Sequence, residues 1–481
     1  MPYLDIMSGH GKKRVSFSGE PLLSRVLEDN GFLLPHPCGG RGVCGKCAAD
    51  VTGELSEMTE KEKALGVRLS CRTRLVGNAS VTLPESREIR VAQSEPAAPK
   101  IPIKGKIGAA VDIGTTTVAA AVYDLLSGKE LGRAGGANPQ VSVAADVIGR
   151  ISAALDGRLF EERDMALSAL KSLLLRAYPS LPDVMVVTGN TAMLYLLTGR
   201  SPVSLAAAPF EADCLFGLWT EICGIRAYIP PCMNAFVGAD ITCAALYCGL
   251  ACGGAALLCD VGTNSEIALW SGERLYVASS AAGPAFEGGI ECGMTGADGA
   301  IDRVWLENGR IRFSVIGSVE PRGICGSGLL DALSAFLRLR LIDKTGFCDE
   351  ERLYITEKVY ISREDVRAAQ LAKAAVAAGI RTLSEASGVP LSSVSAFSVA
   401  GGFGSRLYMP SAVSVGLVPR EMQTRARAVG NAALGGAEML LLDDTAVSRA
   451  ERLASLSCHV QLGGNDVFGK YYMEEIGFPI Y

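Results

Sequence analysis

The sequence is poor in the features that mark several common protein classes. Its 481 residues include only three histidines, so histidine-based catalysis or metal binding has little material. The formal net charge of −5 gives no excess of positive charge for a nucleic-acid partner. The first residues, MPYLDIMSGHGKKRVSF, contain no apolar run of signal-peptide length. We therefore expect a cytoplasmic protein with reduced thiols.

A membrane-spanning segment is also expected to be absent. From Ile241 to Cys259 no residue is charged, and this stretch is about long enough to cross a bilayer. Two adjacent glycines interrupt it, and Asp240 and Asp260 close its ends. We expect a buried helix that ends near Gly249, followed by a turn and a buried strand.

Most of the 15 cysteines lie in apolar segments such as CAALYCGLACGG, where cysteine acts as a small hydrophobic residue. Cys38, Cys44, Cys47 and Cys71 differ, because they have the spacing C-x5-C-x2-C-x23-C and the first three lie in the glycine-rich CGGRGVCGKC. Four thiolates satisfy the ligand count of a 2Fe–2S cluster, and the glycines let backbone N–H groups approach its sulfides. A zinc site is the first alternative, although zinc motifs typically pair two CxxC-like knuckles and this region has one. Inert cysteines are the second.

The residues around this quartet predict a small α+β domain over residues 1–91. Apolar alternation near Tyr3–Ile6 and Arg14–Phe17 indicates a hairpin, residues 21–31 a short helix, and KCAADV and SVTLP later strands. That order resembles the β-grasp of plant-type and adrenodoxin-type ferredoxins. The first cysteine gap has five residues, as in the adrenodoxin group. Residues 92–105, rich in Ala and Pro, are expected to be a semi-rigid linker.

Two similar segments in the remaining chain indicate an internal repeat. AAVDIGTTTVAAAVYD (109–124) and LLCDVGTNSEIALWSG (257–272) each predict a buried strand, a polar turn and a second strand. The glycine lets the turn approach a phosphate, the threonine hydroxyls donate to it, and the aspartate can hold Mg²⁺ and position a nucleophile. The alternative is a pair of plain hairpins with polar turns. The candidate catalytic residues are Asp112 and Asp260, and the candidate ATP-binding residues are Gly114, Thr115, Thr116, Gly262, Thr263 and Asn264.

Further glycine clusters follow the same pattern. GICGSGLLDALSAFLRL places Gly326 and Ser327 at a helix start, where free N–H groups favour an anion. SVAGGFGSRL predicts a strand followed by Gly401, Gly402 and Gly404, suited to backbone contact with a nucleoside. Lys373, in an Ala-rich helix, is either a nucleoside contact or a solvated helix lysine.

Taken together, these motifs resemble the superfamily of ATPases that includes acetate and sugar kinases, heat-shock proteins and actin. More closely, the chain resembles the reductive activators of corrinoid proteins. The similarity extends to GNTAM, APF, AAGPAFEGG, GICGSGLLD, AGGFG, GNAALGGA and the closing QLGGNDVFGKYYMEEIGFP. It implies an α/β, actin-like ATPase domain at 106–481, with duplicated ribonuclease-H-like halves at about 106–255 and 256–481, preceded by the β-grasp ferredoxin domain.

The resemblance also implies a function. Such an enzyme uses ATP with Mg²⁺ and a 2Fe–2S cluster to return the cobalt of a corrinoid methyl-carrier protein from Co(II) to Co(I). It implies an upstream low-potential electron donor and leaves a homodimer possible. Because Ile107 begins the first ATPase strand directly after the linker, we expect the middle domain of this family to be absent.

Three other functions are consistent with parts of the pattern. One is an activator of another low-potential metalloenzyme, such as a radical dehydratase, although such activators hold a four-iron cluster between the ATPase folds of a dimer. Another is a redox regulator that binds ATP without hydrolysing it. The third is a small-molecule kinase, in which a ferredoxin domain would have no role.

Overall fold

The structure is a computed structural model that describes residues 1–8, 11–30, 32, 34, 42, 45–83, 103–144, 146–402 and 406–479. Cys38 and Cys44, two of the four predicted cluster ligands, lie outside these residues. The same holds for Gly404 and for residues 92–102 of the predicted linker.

The N-terminal part is built around a mixed β-sheet. Its elements are β1 (Tyr3–Ser8), β2 (Gly11–Ser16), α1 (Leu23–Asp29), β3 (Ala48–Leu55), α2 (Glu60–Leu65), β4 (Arg68–Leu69) and β5 (Leu75–Thr82). The sheet order within this described part is β2-β1-β5-β3-β4, with β1 antiparallel to β2 and parallel to β5. Leu4 and Ile6 of β1 pack against Leu23 and Leu27 of α1 in one core. This is the predicted β-grasp arrangement.

The next part carries the first large sheet. Its elements are β6 (Ile107–Ile113), β7 (Thr117–Asp124), β8 (Lys129–Ala137), α3 (Val147–Ala153), α4 (Leu159–Ala177), β9 (Val184–Gly189), α5 (Thr191–Thr198), α6 (Val203–Ala206), β10 (Phe216–Ile222), β11 (Ile225–Pro231) and α7 (Ala239–Tyr247). Its order, in the residues that the structure describes, is β10-β11-β9-β6-β7-β8. The nearly continuous apolar runs of β6 and β7 are buried on both faces, as expected for central strands.

The C-terminal part carries the second large sheet. Its elements are β12 (Ala256–Val261), β13 (Ser265–Trp270), β14 (Leu275–Ser280), β15 (Ala300–Glu307), β16 (Arg310–Val315), β17 (Gly323–Ile324), α8 (Gly326–Arg338), β18 (Arg352–Tyr354), β19 (Tyr360–Ser362), α9 (Arg363–Ser387), β20 (Ala396–Gly401), α10 (Met409–Val415), β21 (Ala426–Gly430), α11 (Ala432–Leu442), α12 (Thr445–Ser455), β22 (Ser457–His459) and α13 (Asp466–Glu475). Its order among the described strands is β21-β20-β12-β13-β14-β22, and β15–β17 and β18–β19 form smaller sheets.

The two large sheets repeat one topology. In the first, β6 is antiparallel to β7 and parallel to β9, and β7 is antiparallel to β8. In the second, β12 is antiparallel to β13 and parallel to β20, and β13 is antiparallel to β14. The duplicated, actin-like α/β architecture expected from the sequence is therefore confirmed.

Helices α7 and α11 lie between the two sheets. Residues of both helices share one core with Ala121 of β7 and Leu258 of β12. The helices cross so closely that a Cβ on Gly436 would lie 2.0 Å from the carbonyl oxygen of Cys243. The small residue at 436 therefore sets the distance between the two helices, and through it the distance between the two large sheets.

The charge-free stretch beginning at Ile241 divides as predicted. Helix α7 ends at Tyr247 and strand β12 begins at Ala256, with a turn between them. None of the helices that the structure describes combines the length and the apolar character needed to span a bilayer.

Candidate nucleotide and cluster sites

The turns of the two repeated hairpins face one cavity of about 410 Å³, a size that suits a small-molecule ligand. Every predicted ATP-site residue that the structure describes lines this cavity: Asp112, Gly114, Thr115, Thr116, Asp260, Gly262, Thr263, Asn264, Gly326, Ser327, Gly401 and Gly402. The hairpin turns, the start of α8 and the end of β20 thus meet at one place, although they are distant in the sequence. Gly404 lies outside the described residues.

The turn of the first hairpin is held by buried polar groups behind it. Gly114 must be glycine, since a Cβ there would lie 2.6 Å from the carbonyl oxygen of Thr117. The Asn138 amide donates to the Gly114 carbonyl at 2.9 Å, and Arg150 Nη2 donates to the Thr115 carbonyl at 2.5 Å. These bonds fix the carbonyls behind the turn, and Thr115 and Thr116 line the cavity.

Arg150, on α3, was not predicted from the sequence. It is fully buried, and its guanidinium also donates to the Ala144 carbonyl at 3.0 Å and to Gln140 Oε1 at 3.4 Å. Burial lowers the pKa of Arg150 to about 10, while the charge of Glu162 opposes that change. Arg150 therefore supports the turn of the first hairpin from behind.

Five carboxyl groups line the cavity, and three of them, Asp240, Glu266 and Glu287, were not predicted. Burial raises the pKa of Asp112 to about 6, against a hydrogen bond from Asn431 Nδ2 at 2.9 Å. Burial and then the charge of Asp112 raise the pKa of Asp240 to about 7.

Of the two predicted aspartates, Asp260 has the more strongly raised pKa. Its burial, followed by the charges of Asp240, Asp112 and Glu287, raises its pKa to about 8. A cation would favour the charged form of these buried carboxylates, and oxygen ligands of this kind suit Mg²⁺. The residues present therefore fit a magnesium nucleotide.

Glu287 joins the two hairpins directly. Its Oε2 accepts a hydrogen bond from Thr116 Oγ1 at 3.2 Å in the first hairpin. The same oxygen accepts from the Thr263 backbone N–H at 3.1 Å and from the Thr263 hydroxyl in the second. A carboxylate thus lies among the donors that were predicted to receive phosphate oxygens.

Some missed residues did carry a sequence signal. Glu287 belongs to AAGPAFEGG and Asn431 to GNAALGGA, two segments that the resemblance included without a role for either residue. Asp240, at the first turn of α7, had only the signal of an acidic residue at a helix start.

Lys373 has neither of the two roles considered for it. It is fully buried on α9, and its ammonium donates to the Gly477 carbonyl at 2.5 Å. Burial lowers its pKa to about 8. It holds the chain at Gly477, close to the C-terminus, against helix α9.

The described half of the cluster site brings two thiols together. Cys47 and Cys71 are buried and their Sγ atoms are 3.2 Å apart, too far for a disulfide and close enough to bind one iron ion. They flank the β3–β4 ladder, where the Ser70 N–H donates to the Cys47 carbonyl at 2.9 Å. No group of three or more metal-binding side chains occurs within the described residues, which exclude Cys38 and Cys44.

Glycines beside these thiols are required by the backbone. Gly42 and Gly45 have φ angles of +75° and +70°. A Cβ on Gly42 would lie 2.3 Å from Arg72 Nε. The buried thiol pair and the left-handed glycines fit a 2Fe–2S cluster, whose sulfides accept hydrogen bonds from backbone N–H groups.

Comparison with known protein families agrees with both sites. Residues 8–76 match the family described as "2Fe-2S iron-sulfur cluster binding domain", residues 107–252 "RACo middle region", and residues 254–481 "C-terminal domain of RACo the ASKHA domain". The chain is 33% identical over 414 residues to "Corrinoid activation enzyme RamQ" of Eubacterium limosum, covering 76% of this chain and 69% of that protein. The chain belongs to the RACo family of reductive activators.

Two further proteins are similar to this chain over most of its length. A "[Co(II) methylated amine-specific corrinoid protein] reductase" of Methanosarcina barkeri is 27% identical over 354 residues, which cover 67% of this chain and 65% of that protein. The solved structure titled "Reductive activator for corrinoid,iron-sulfur protein" superposes with a TM-score of 0.73 at 26% identity, covering 99% of this chain and 98% of that one.

The match to the RACo middle region corrects one expectation. We expected that region to be absent because the first DxGT hairpin begins at Ile107, directly after the linker. Residues 107–252 match the middle region, so that expectation is wrong. The hairpin and its sheet are themselves part of that region in this chain.

Proposed function

We propose that this RACo-family protein is an ATP-dependent reductive activator that passes one electron from its 2Fe–2S cluster to a corrinoid protein and so returns Co(II) to Co(I). The observation that carries the proposal is that one chain combines two features. One is the buried thiol pair Cys47 and Cys71, and the other is a cavity lined by carboxylates and by the turns of the two repeated hairpins. A 2Fe–2S cluster carries one electron at a time, which matches the single-electron change at cobalt.

Each region of the chain has a part in this proposal. Residues 1–91 form the ferredoxin domain, 92–105 the linker and 106–481 the ATPase domain. The cluster ligands are Cys38, Cys44, Cys47 and Cys71. Asp112 and Asp260 face the Mg²⁺ of the nucleotide, Thr115, Thr116 and Thr263 bind the phosphates, and Gly401, Gly402 and Gly404 contact the nucleoside.

The need for ATP follows from the potentials. Plant-type clusters have reduction potentials of about −400 mV. Electron transfer to a Co(II) corrinoid with a lower potential is therefore thermodynamically unfavourable. A gap of about 200 mV costs about 4.6 kcal/mol for one electron, since each 59 mV is a factor of ten. Binding energy that differs between two nucleotide states can offset this cost, because coupling between sites is reciprocal.

The remaining partners belong to the same proposal. A low-potential donor recharges the cluster after each transfer, and the protein acts in the cytoplasm, where the thiols stay reduced. Two chains can associate as a homodimer. The corrinoid partner is a methyl carrier, because Co(I) is the nucleophile that accepts a methyl group.

The test uses a single turnover. The chain is reduced, freed of excess reductant and mixed anaerobically with a Co(II) corrinoid protein, and the Co(I) absorption band is followed with and without MgATP. We expect Co(I) with MgATP, and at least about 100-fold less ATP hydrolysis and little Co(I) from Asp260→Asn, because the carboxylate that holds the metal is lost. Asp349→Asn, an exposed position away from the cavity, is the matched control. Equal Co(I) with and without MgATP would refute the coupling.

A further inference from the structure

The ferredoxin domain is seated on the ATPase domain beside a cluster ligand. Lys46, the residue before Cys47, donates from Nζ to the Glu291 carbonyl at 3.1 Å and to the Gly293 carbonyl at 2.6 Å. Lys61 of α2 lies 3.9 Å from Glu291 Oε1. Two lysines of one domain thus meet the same short segment of the other.

That segment is anchored on the ATPase side. The Glu291 N–H donates to Asp365 Oδ1 at 2.9 Å, and Tyr360 OH donates to Glu291 Oε2 at 2.9 Å. The Met294 N–H donates to the Ile324 carbonyl at 2.9 Å. The carbonyls that receive Lys46 therefore have a defined position.

The same segment reaches the phosphate turns at its other end. We call residues 287–293 the coupling turn: Glu287 at its start bridges Thr116 and Thr263, and Gly293 at its end accepts Lys46. Met294, Thr295 and Gly296, which follow directly, line the nucleotide cavity. One short turn therefore contacts both the nucleotide cavity and Lys46 of the ferredoxin domain.

The coupling turn is packed tightly enough to move as a unit. A Cβ on Gly293 would lie 2.7 Å from the Gly288 carbonyl oxygen, and one on Gly288 would lie 2.9 Å from the Met294 carbonyl carbon. The two ends of the turn are thus in backbone contact. A displacement at Glu287 is passed to 291–293, because packed backbone does not deform gradually.

From this geometry we infer that the coupling turn links nucleotide binding to the contact between the ferredoxin domain and the ATPase domain. The phosphates of ATP bring negative charge to the donors that the Glu287 carboxylate now uses, and like charges repel. Glu287 therefore leaves Thr116 and Thr263 when ATP binds, the turn shifts, and Lys46 loses its carbonyls. The cluster domain is docked without nucleotide and released with it, which frees the cluster to approach its partner. This inference rests on the proposed function.

The test measures docking without measuring activity. A zero-length carbodiimide joins a lysine amine to a nearby carboxylate, so the Lys61–Glu291 cross-link, quantified by peptide mass spectrometry, reports the docked state. We expect the cross-link yield to fall at least about fivefold when magnesium and a non-hydrolysable ATP analogue are added to the cluster-loaded protein. An unchanged yield in protein shown by titration to have bound the analogue would overturn the inference while leaving the proposed function intact. Failure to bind the analogue would overturn both.

Two variants separate the ends of the turn. Lys46→Met should lower the cross-link yield without nucleotide and remove the response to the analogue, while Lys63→Met, on the same helix as Lys61 but paired with Glu60, should behave as wild type. Glu287→Gln should bind the analogue and keep the cross-link within about twofold of its nucleotide-free value, because the repulsion is gone. A full response in Lys46→Met or in Glu287→Gln would contradict the coupling. The visible spectrum of each variant checks that the cluster is in place.

Discussion

At the scale of single residues, the nucleotide site is defined by carboxylates that cannot all be charged without a cation. Burial raises the pKa of Asp112 to about 6, and burial together with repulsion from neighbouring carboxylates raises those of Asp240 and Asp260 to about 7 and 8. A bound Mg²⁺ would reverse this balance, since a cation favours the charged form of each group. The residues of this site therefore fit a metal nucleotide better than a bare anion.

Arg150 gives a prediction at this scale. Arg150→Lys removes the planar fork that reaches the Thr115 and Ala144 carbonyls, so the phosphate turn loses its support. We expect MgATP to bind about tenfold more weakly, and the free energy of unfolding to fall by about 1–3 kcal/mol, because two partly buried carbonyls lose a hydrogen-bond partner. Nucleotide titration and urea unfolding measure the two effects.

The control is another arginine that bonds a carbonyl away from the cavity. Arg176 donates to the Gly135 carbonyl at 2.5 Å. Arg176→Lys should lower stability without changing nucleotide affinity. Wild-type affinity in Arg150→Lys would show that Arg150 has no positioning role.

What the sequence could predict at this scale depended on local pattern. Asp112, Gly114 and Thr115 were predicted because strand, turn and chemistry are contiguous in one hairpin. Asp240 and Arg150 were not, because each reaches the site only through the packing of a helix on a sheet. Lys373 looked like a solvated or nucleoside-binding lysine because its partner, the Gly477 carbonyl, is distant in the sequence.

At the scale of elements, hydrogen bonds to the Glu62 carboxylate hold helix α2 against the segment that carries Cys71. Glu62 is fully buried, and it accepts hydrogen bonds from the backbone N–H groups of Thr59 and Leu69 at 2.7 and 2.9 Å. The Thr59 and Thr73 hydroxyls also donate to it, at 2.8 and 3.0 Å. Helix α2, β4 and the turn that carries Cys71 are thereby joined.

Glu62→Gln tests this fastening. An amide cannot accept on both sides, so one buried N–H loses its partner, and we expect the free energy of unfolding of the ferredoxin domain to fall by about 2–3 kcal/mol at pH 7. Urea-induced loss of the cluster absorption, measured on the full chain, gives the difference. The exposed Glu57→Gln is the control, and an unchanged midpoint in Glu62→Gln would contradict the argument.

The same substitution has a defined pH dependence. Burial alone would raise the pKa of Glu62, but the hydrogen bonds from Leu69, Thr59 and Thr73 outweigh it, and the pKa is lowered from 4.5. The wild-type advantage is therefore complete above the unfolded-state pKa and shrinks as the pH falls through the folded-state pKa. A difference between wild type and Glu62→Gln that grows on acidification would contradict this sign.

Elements were predicted where the apolar pattern was strong. The hairpins β6–β7 and β12–β13 followed from two buried apolar runs around a polar turn that occurs twice, and the division between α7 and β12 followed from length and glycine breaks. The smaller sheets β15–β17 and β18–β19 were not predicted, since several of their strands are only two or three residues long and are fixed by packing around α8 and α9.

At the scale of the whole molecule, the structure adds what a sequence pattern does not contain, namely where the ferredoxin domain sits. The contact from Lys46 to Glu291 joins residues 245 positions apart, and nothing in the cysteine motif that contains Lys46 points to Glu291. The linker composition was compatible with a mobile tether and with a passive boundary. Family membership followed from the cysteine quartet together with the two hairpins, because that combination is rare even though each part is common.

One freeze-quench experiment tests the central claim most directly. A reduced 2Fe–2S cluster and a Co(II) corrinoid are both paramagnetic, whereas the oxidised cluster and Co(I) are not, so electron paramagnetic resonance follows donor and acceptor together. With MgATP, we expect the two signals to decay at one rate and in equal amounts, and without MgATP both should persist. A Co(II) signal that disappears while the cluster signal stays, or a decay that is the same without nucleotide, would contradict the account.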